Sequence, residues 1–204
     1  MSRPRGRPPA ADELGLRQRI VDAAAAEFAA FGYEGARVER VARAAGCNRA
    51  LVYFYFKDKG GLFQAALDEG ASRRVGQMAA QPGSLAEALV YWLDRNLADP
   101  VRIRLVMQEA LAPPSVGAAA AGRREYLQQQ LGAVRQFQQA GLLRSDVAPH
   151  HLLGAILALT SFPAAFPAVA ASALDTDQVG LAGDWRALLE SLAHVLSPPL
   201  TDGR

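Results

Sequence analysis

Hydrophobic positions in this 204-residue chain recur at helical spacing almost from end to end. Leu16, Ile20, Ala24, Phe28 and Phe31 form one inward stripe, ended by Gly32, and Val38, Val41, Ala42 and Ala45 form a second, ended by Gly46. Steps of three and four put apolar side chains on one helix face, and a glycine just past the last periodic residue can take the left-handed conformation that stops a helix. Asn48 then offers an N-cap to a third helix, in which Val52 and Phe56 point inward while Arg49, Ala50, Tyr53 and Phe54 occupy the outward side. Two short helices meeting across a turn of about three residues match a helix-turn-helix. Outward aromatics beside an arginine require a partner outside the domain.

The same reading continues downstream. Asp58 caps a fourth helix that carries Leu62, Phe63, Ala66 and Leu67, with Gly60 and Gly61 as either a soft first turn or a frayed end. Gln81-Pro82-Gly83 breaks the chain, and Ser84 caps a helix with Leu85, Leu89, Trp92 and Leu93 that closes at Asp99-Pro100. Val101 to Leu111 forms another helix, and roughly Ala118 to Ala140 a longer one ended by Gly141. Pro149 fits the first turn of a long apolar helix in which Pro163 and Pro167 should produce a kink, and Asp184 caps a last helix with Trp185, Leu188, Leu189, Leu192 and Leu196 on one face. Leu152 to Leu174 holds no charge for 23 residues, long enough to span a bilayer. Its Ala, Ser, Thr, Gly and Pro content, with no aromatic belt or positive flank, reads instead as a helix buried in a bundle and an oligomer interface, so no membrane association is expected. The predicted fold class is all-α.

Composition refines this picture. Half the residues are hydrophobic, and the length suits a small N-terminal module followed by a larger one. Residues 1–60 hold eleven Arg and Lys against seven Asp and Glu, net +4, and the remainder eleven against thirteen, net −2. That asymmetry fits a protein binding nucleic acid with one end. One cysteine allows no intramolecular disulfide, and no Cys/His cluster has zinc spacing, so a reducing cytoplasm is expected and Cys47 reads as an apolar filler rather than a redox sensor. The N-terminus is basic but lacks the apolar core of a signal peptide. No Ser/His/Asp set, H-E-x-x-H or phosphate loop is present, and His150, His151 and His194 offer no metal geometry, so the chain is expected to be no enzyme and to need no cofactor or metal.

Ile20, Ala23, Phe28, Gly32, Tyr33, Val38, Val41, Ala42, Ala45, Gly46, Val52, Tyr53, Tyr55, Phe56, Lys57, Lys59, Leu62 and Phe63 fall in the order found in the tetracycline-repressor-like (TetR) transcriptional regulators. The chain resembles that family over roughly residues 14–64, a quarter of its length. Arg37 stands where a threonine or serine usually caps the second helix, Cys47 where valine is usual, Leu51 where a small hydroxyl residue is usual, and Gly60-Gly61 where acidic helix formers are usual. The resemblance implies a helix-turn-helix domain over 12–64 and a helical ligand-binding and dimerisation domain over 65–204, behind a basic arm over 1–11. It also implies a homodimer joined by its last two helices, and a repressor released from a palindromic operator by a small ligand.

Within that frame Arg49 is the candidate for base readout, because a guanidinium bonds guanine O6 and N7 together. Phe54 is placed to meet a thymine methyl, or else packs the domain. Tyr53, Tyr55 and Lys59 match family positions that hold phosphates, and Arg37, Asn48 and Ala50 complete the expected surface. Pro4-Arg5-Gly6-Arg7-Pro8 resembles the core of an AT-hook, in which Arg5 and Arg7 would enter a narrow minor groove; the plainer reading is a solubilising tail. Trp92, Met107, Tyr126, Phe137, Phe162 and Phe166 are the candidate walls of a small apolar ligand's cavity, or simply core. Leu153, Ile156, Leu157, Leu188 and Leu192 are the candidate dimer face. The rival functions are a sequence-tolerant architectural DNA binder and a helical carrier or enzyme.

Overall fold

The computed structural model describes residues 10–74, 83–113 and 121–198, and the regular structure within them is entirely helical. α1 (Ala10–Gly35), α2 (Val38–Ala44), α3 (Arg49–Phe56) and α4 (Lys59–Ser72) surround one hydrophobic core. α5 (Leu85–Leu97), α6 (Pro100–Leu111), α7 (Ala121–Gln139), α8 (Pro149–Ala165), α9 (Pro167–Ala173) and α10 (Leu181–Leu196) make the body, whose core is built on α5, α7, α8, α9 and α10. The expected start of α7 at Ala118, the Gln81-Pro82 break and the arm with Arg5 and Arg7 lie outside the described residues.

The first core follows the periodicity, with Ile20, Ala24, Phe28, Val41, Val52, Phe56, Leu62 and Phe63 all buried. Phe31 does not join it. At Gly32 the backbone leaves the helix (φ 69°, ψ 175°), and Tyr33 takes the inward place, its ring stacked on Phe28 at 6.1 Å and edge-on to Phe63 at 5.4 Å. Phe31 is left 55% exposed beneath the Arg40 guanidinium, 4.3 Å from its ring centre. Gly46, at φ 71°, supplies the left-handed residue between α2 and α3. Asn48 Oδ1 accepts the Leu51 N–H at 2.9 Å, and Asp58 Oδ1 the Gly61 N–H at 2.7 Å.

α2 lacks a side-chain cap at Arg37 and receives one from α1 instead. The buried Glu27 carboxylate accepts the Arg37 backbone N–H at 2.9 Å and the Arg40 Nε–H at 2.7 Å. Burial pushes this carboxyl up, but the hydrogen bonds and charges of Arg40 and Arg37 outweigh it and hold the group below its ordinary value. Gly60 and Gly61 lie inside the first turn of α4, neither frayed nor simply soft. A Cβ on Gly61 would stand 2.3 Å from the Phe56 carbonyl oxygen, so glycine is what lets α4 start so close to the end of α3.

Several boundaries in the body differ from the sequence reading. Asp99 and Pro100 open α6 rather than merely closing α5, since Asp99 Oδ1 accepts the Arg102 N–H at 3.1 Å. The long apolar segment is two helices, α8 and α9, bent by 105°. The break falls at Phe166-Pro167, because a proline disfavours helical geometry in the residue before it. Pro163 stays within α8. The Leu159 carbonyl that its missing N–H would have bonded accepts the Trp185 indole N–H at 2.9 Å, so that carbonyl is satisfied and is no feature of a pocket. Among the described residues no single helix is long and apolar enough to cross a membrane. α10 begins at Leu181 with Asp184 inside its first turn; Asp177 shapes the preceding turn by accepting the Val179 and Gly180 N–H groups at 3.0 and 2.7 Å.

Glu27→Gln should destabilise the protein by about 1 to 3 kcal/mol at neutral pH. A carboxyl held low in the folded state contributes stability above its ordinary pKa of 4.5 and loses it as pH falls through the lowered value. Urea titrations at several pH values should therefore show the gap between variant and wild type closing in acid. Gly61→Ala, despite its better helix propensity, should lower stability by about 1 to 3 kcal/mol, because the Phe56 carbonyl must move. An unchanged or raised melting temperature would refute that account of the glycine.

Candidate nucleic-acid interface

α3 is divided lengthwise. Val52 and Phe56, 1% and 6% exposed, anchor one side in the core, while Phe54 on the other is 78% exposed and Arg49 and Ala50 also face solvent. Tyr53 is half-buried. Tyr55 is too, its ring 5.4 Å from Phe54 and 6.1 Å from Phe56, so it links the naked edge of α3 to the core. The helix is thus held rigidly from behind while presenting an arginine and an aromatic ring outward.

Arg49 is already engaged. Its guanidinium is ion-paired with Glu39 of α2, donates to the Tyr53 hydroxyl at 3.1 Å and lies 5.1 Å over the Tyr53 ring. Sequence reasoning missed Glu39, although its place on the outward side of α2, off the Val38/Val41 stripe, was the available signal. Arg37 is exposed at the start of α2, and Asn48 is exposed with its side-chain oxygen occupied by the cap. Lys59 is half-buried rather than free: its Nζ donates to the Glu34 carbonyl at 3.1 Å and sits 5.0 Å over the Tyr33 ring, clipping the start of α4 to the tail of α1. Arg43 and Lys57, not singled out from the sequence, are both exposed, at the end of α2 and just past α3. Burial pushes the Cys47 thiol up, which keeps it protonated and unreactive.

Behind this domain the body holds two small neighbouring chambers that share wall residues. One of about 40 Å³ is walled by Leu89, Val134 and Phe137; the other, of about 60 Å³, by Trp92, Tyr126, Asn96 and Gln130, and both touch Leu153 and Ile156. Of the candidate cavity residues, Trp92, Tyr126 and Phe137 line these chambers. Met107, Phe162 and Phe166 line neither chamber: Phe162 stacks on Trp185 at 5.7 Å, and Phe166, at the α8–α9 corner, is 47% exposed. Asn96, Gln130, Thr160 and Ser161 give the larger chamber a polar side that the sequence reading did not single out.

The candidate dimer-face residues are divided between two surroundings. Leu153, Ile156 and Leu157 turn inward against these chambers, because a helix apolar all round carries no periodicity to show which side faces the core. The exposed side of α8 is Gly154, Ala155 and Ala158. On α10, Leu188 is half-buried against the body core and Leu192 half-buried beyond it, beside exposed Ala187, Ser191 and Val195.

Known proteins share this arrangement. The family model for bacterial regulatory proteins of the tetR family matches residues 20–66, and that for tetracyclin repressor-like C-terminal domains matches residues 85–193. The HTH-type transcriptional repressor SCO4008 of Streptomyces coelicolor is 30% identical over 162 residues, covering 78% of this chain and 83% of that protein. The repressor AcnR of Corynebacterium glutamicum is 37% identical over 86 residues, 42% of this chain and 43% of AcnR. The crystal structure of SCO4942 from Streptomyces coelicolor superposes with a TM-score of 0.72 at 28% identity, covering 90% of this chain and 99% of that one. FadR from Bacillus subtilis, solved in complex with stearoyl-CoA, shares the fold with a TM-score of 0.64 at 18% identity, over 86% of this chain and 98% of FadR. The divided recognition helix and the helical body behind it thus have their counterparts along nearly the whole length of known regulators, and the chain belongs to the TetR family, whose members are DNA-binding transcriptional regulators and not enzymes.

Proposed function

We propose that the protein is a transcriptional repressor that binds a pseudopalindromic operator as a homodimer and leaves it when a small molecule enters the body. The observation that carries this reading is α3, whose inner side is fixed in a core while its outer side offers Arg49, Ala50 and Phe54 to a groove. Arg49 reads a guanine edge once it exchanges Glu39 for the base, and Phe54 packs on a thymine methyl. Tyr53, Tyr55 and Arg37 position the domain on the backbone, with Asn48 holding the helix start close to the groove. Lys59 contributes through its clip on Glu34 as much as through any phosphate. Arg5 and Arg7 extend the contact into an adjacent minor groove. SCO4008 and AcnR are named as repressors, which supports the sign of the regulation.

Dimerisation is assigned to α8 and α10. Gly154, Ala155 and Ala158 on one helix and Ala187, Ser191 and Val195 on the other are exposed, and small side chains allow two helix pairs to approach closely about a twofold axis. The two chambers around Trp92, Tyr126 and Phe137 are the seat of the effector. FadR of Bacillus subtilis, of the same fold, was solved with stearoyl-CoA bound, which supports a body that accepts small molecules.

Footprinting on DNA upstream of the protein's own coding sequence tests the function directly. Protection of one palindromic stretch is expected; equal retardation of random fragments would favour an architectural binder. On the operator so found, Arg49→Ala should lose about 5- to 150-fold in affinity and relax preference at one base pair per half-site. Glu39→Gln should tighten binding a few-fold on all sequences, since it frees Arg49 and removes a negative charge near the phosphates. If anisotropy titrations show Arg49→Ala indistinguishable from wild type, the readout role belongs to another residue. Ala158→Arg should give monomers in sedimentation and weaken operator binding on the order of 100-fold by loss of the paired half-site. Sedimentation of this variant as a dimer would move the interface off α8.

A further inference from the structure

The larger chamber has a cationic end that a purely apolar effector would leave unmatched. Arg74, at the C-terminal end of α4, is only 5% exposed; its Nη2 donates to the Arg95 carbonyl at 3.2 Å and its guanidinium lies 5.6 Å from the centre of the Trp92 ring. Arg102, in the first turn of α6, donates from Nη2 to Asn96 Oδ1 at 2.7 Å, while its buried Nε has no hydrogen-bond partner. Asn96, 2% exposed, is fixed by its own amide donating to the Thr160 carbonyl at 2.8 Å and the Ser161 hydroxyl at 3.3 Å, which leaves its oxygen facing Arg102.

Both arginines also line a cleft of about 360 Å³ that opens between α1, α4 and α6. They stand between that cleft and the inner chamber, whose Trp92 and Gln130 also wall the apolar one. Among the described residues, the carboxylates lining the cleft compensate this positive charge only weakly. Asp99, itself half-exposed, stands 4.0 Å from Arg102 Nε, and the other cleft carboxylates, Asp22 and Glu69, are held by Arg73. Burial, and after it the charge of Arg74, push the Arg102 guanidinium down to about 10, with Arg95 adding to the repulsion. It remains protonated at neutral pH. Buried like charges side by side are costly unless an anion joins them, and a guanidinium fork is suited to carboxylate or phosphate oxygens.

We propose that the effector is an amphipathic organic anion whose carboxylate or phosphate head is held by Arg74 and Arg102 and whose apolar part enters the chamber walled by Leu89, Val134 and Phe137. This rests on the reading of the body as an effector domain and specifies the chemistry that domain selects. The chambers have room for only a few waters, so the apolar part must part α7 from α5 and α8 as it enters, which makes binding and movement one event. The head acts at the seam. Arg74 stands two residues past the end of α4 and Arg102 on α6, so an anion drawing both to itself resets α4, and with it the helix-turn-helix, against the body.

The test uses the full-length protein and three series of probes: straight-chain carboxylates from hexanoate to palmitate, the alcohols of equal length, and the coenzyme A thioesters of the same acids. Calorimetric titration should find at least one anion binding about 10- to 100-fold more tightly than the alcohol of its length. Arg74→Met and Arg102→Met should each abolish that difference while still binding the alcohol, which shows that the body remains folded, and Arg102→Lys should restore part of it. Preference for the free acid identifies a carboxylate head, and preference for the thioester a phosphate-bearing one. The proposal is overturned if no anion in either series outbinds its alcohol, or if both methionine variants keep the preference. Operator binding by the unliganded wild type, measured in parallel, is independent of this comparison: its failure would overturn the regulator reading and leave the acid-to-alcohol ratio standing.

Discussion

The DNA-binding half of this protein does not close its own core. Leu105, from α6 in the body, is 2% exposed inside the cluster formed by α1 to α4, so the recognition domain is complete only with a side chain from its neighbour. Next to it, the turn at Gly32 admits Gln108 so closely that a Cβ at Gly32 would lie 2.8 Å from Gln108 Oε1. A densely packed interior responds to displacement by moving as a unit, not by stretching. α6 therefore cannot shift without carrying α1 with it. Leu105 and Gln108 thus make α6 a direct packing contact between the body and the helix-turn-helix domain.

α4 is the other half of the connection. Near its start Phe63 is fully buried against Phe28 at 4.8 Å, tying it to the recognition domain; just past its end Arg74 enters the body and lies over Trp92. One helix thus has an aromatic anchor at one end and a charged one at the other. Its beginning is tightly fixed by the Asp58 cap, the Gly61 contact with the Phe56 carbonyl and the Lys59 clip on Glu34. The first turn of α4 is thus tied by three contacts to the ends of α1 and α3.

Charge is used in two different ways on the two sides of the recognition domain. Glu27 is buried and fully committed, capping α2 from α1 and holding Arg40, which makes it part of the scaffold. Glu39 is exposed and holds Arg49 only on the surface, where an ion pair is worth little in water. The first keeps the helix-turn-helix in shape without DNA. The second holds the Arg49 guanidinium beside the Tyr53 ring.

Much of this was legible in the sequence. The stripes from Ile20 to Phe63, the stop at Gly46 and the caps at Asn48, Asp58 and Ser84 are local properties: each depends on residues within one or two turns of one another, and side-chain periodicity and backbone hydrogen bonding at that range do not wait for the rest of the chain. The outward placement of Arg49 and Phe54 follows from the same local rule. What the sequence could not decide were the choices between equivalent faces and between distant partners. An α8 apolar on every side gave no sign that Leu153 and Ile156 turn inward while Gly154 and Ala158 turn out. Tyr33 displaced Phe31 from the core because of how the chain leaves Gly32, and Pro163 stayed in its helix because Trp185, 22 residues later, satisfies the Leu159 carbonyl. The meeting of Arg74, Asn96 and Arg102 belongs to the same class. Three polar residues on three separate elements look like surface when read singly, and only the packing of α4, α5 and α6 made them the wall of a cavity, because burial is a property of the whole fold and of no segment within it.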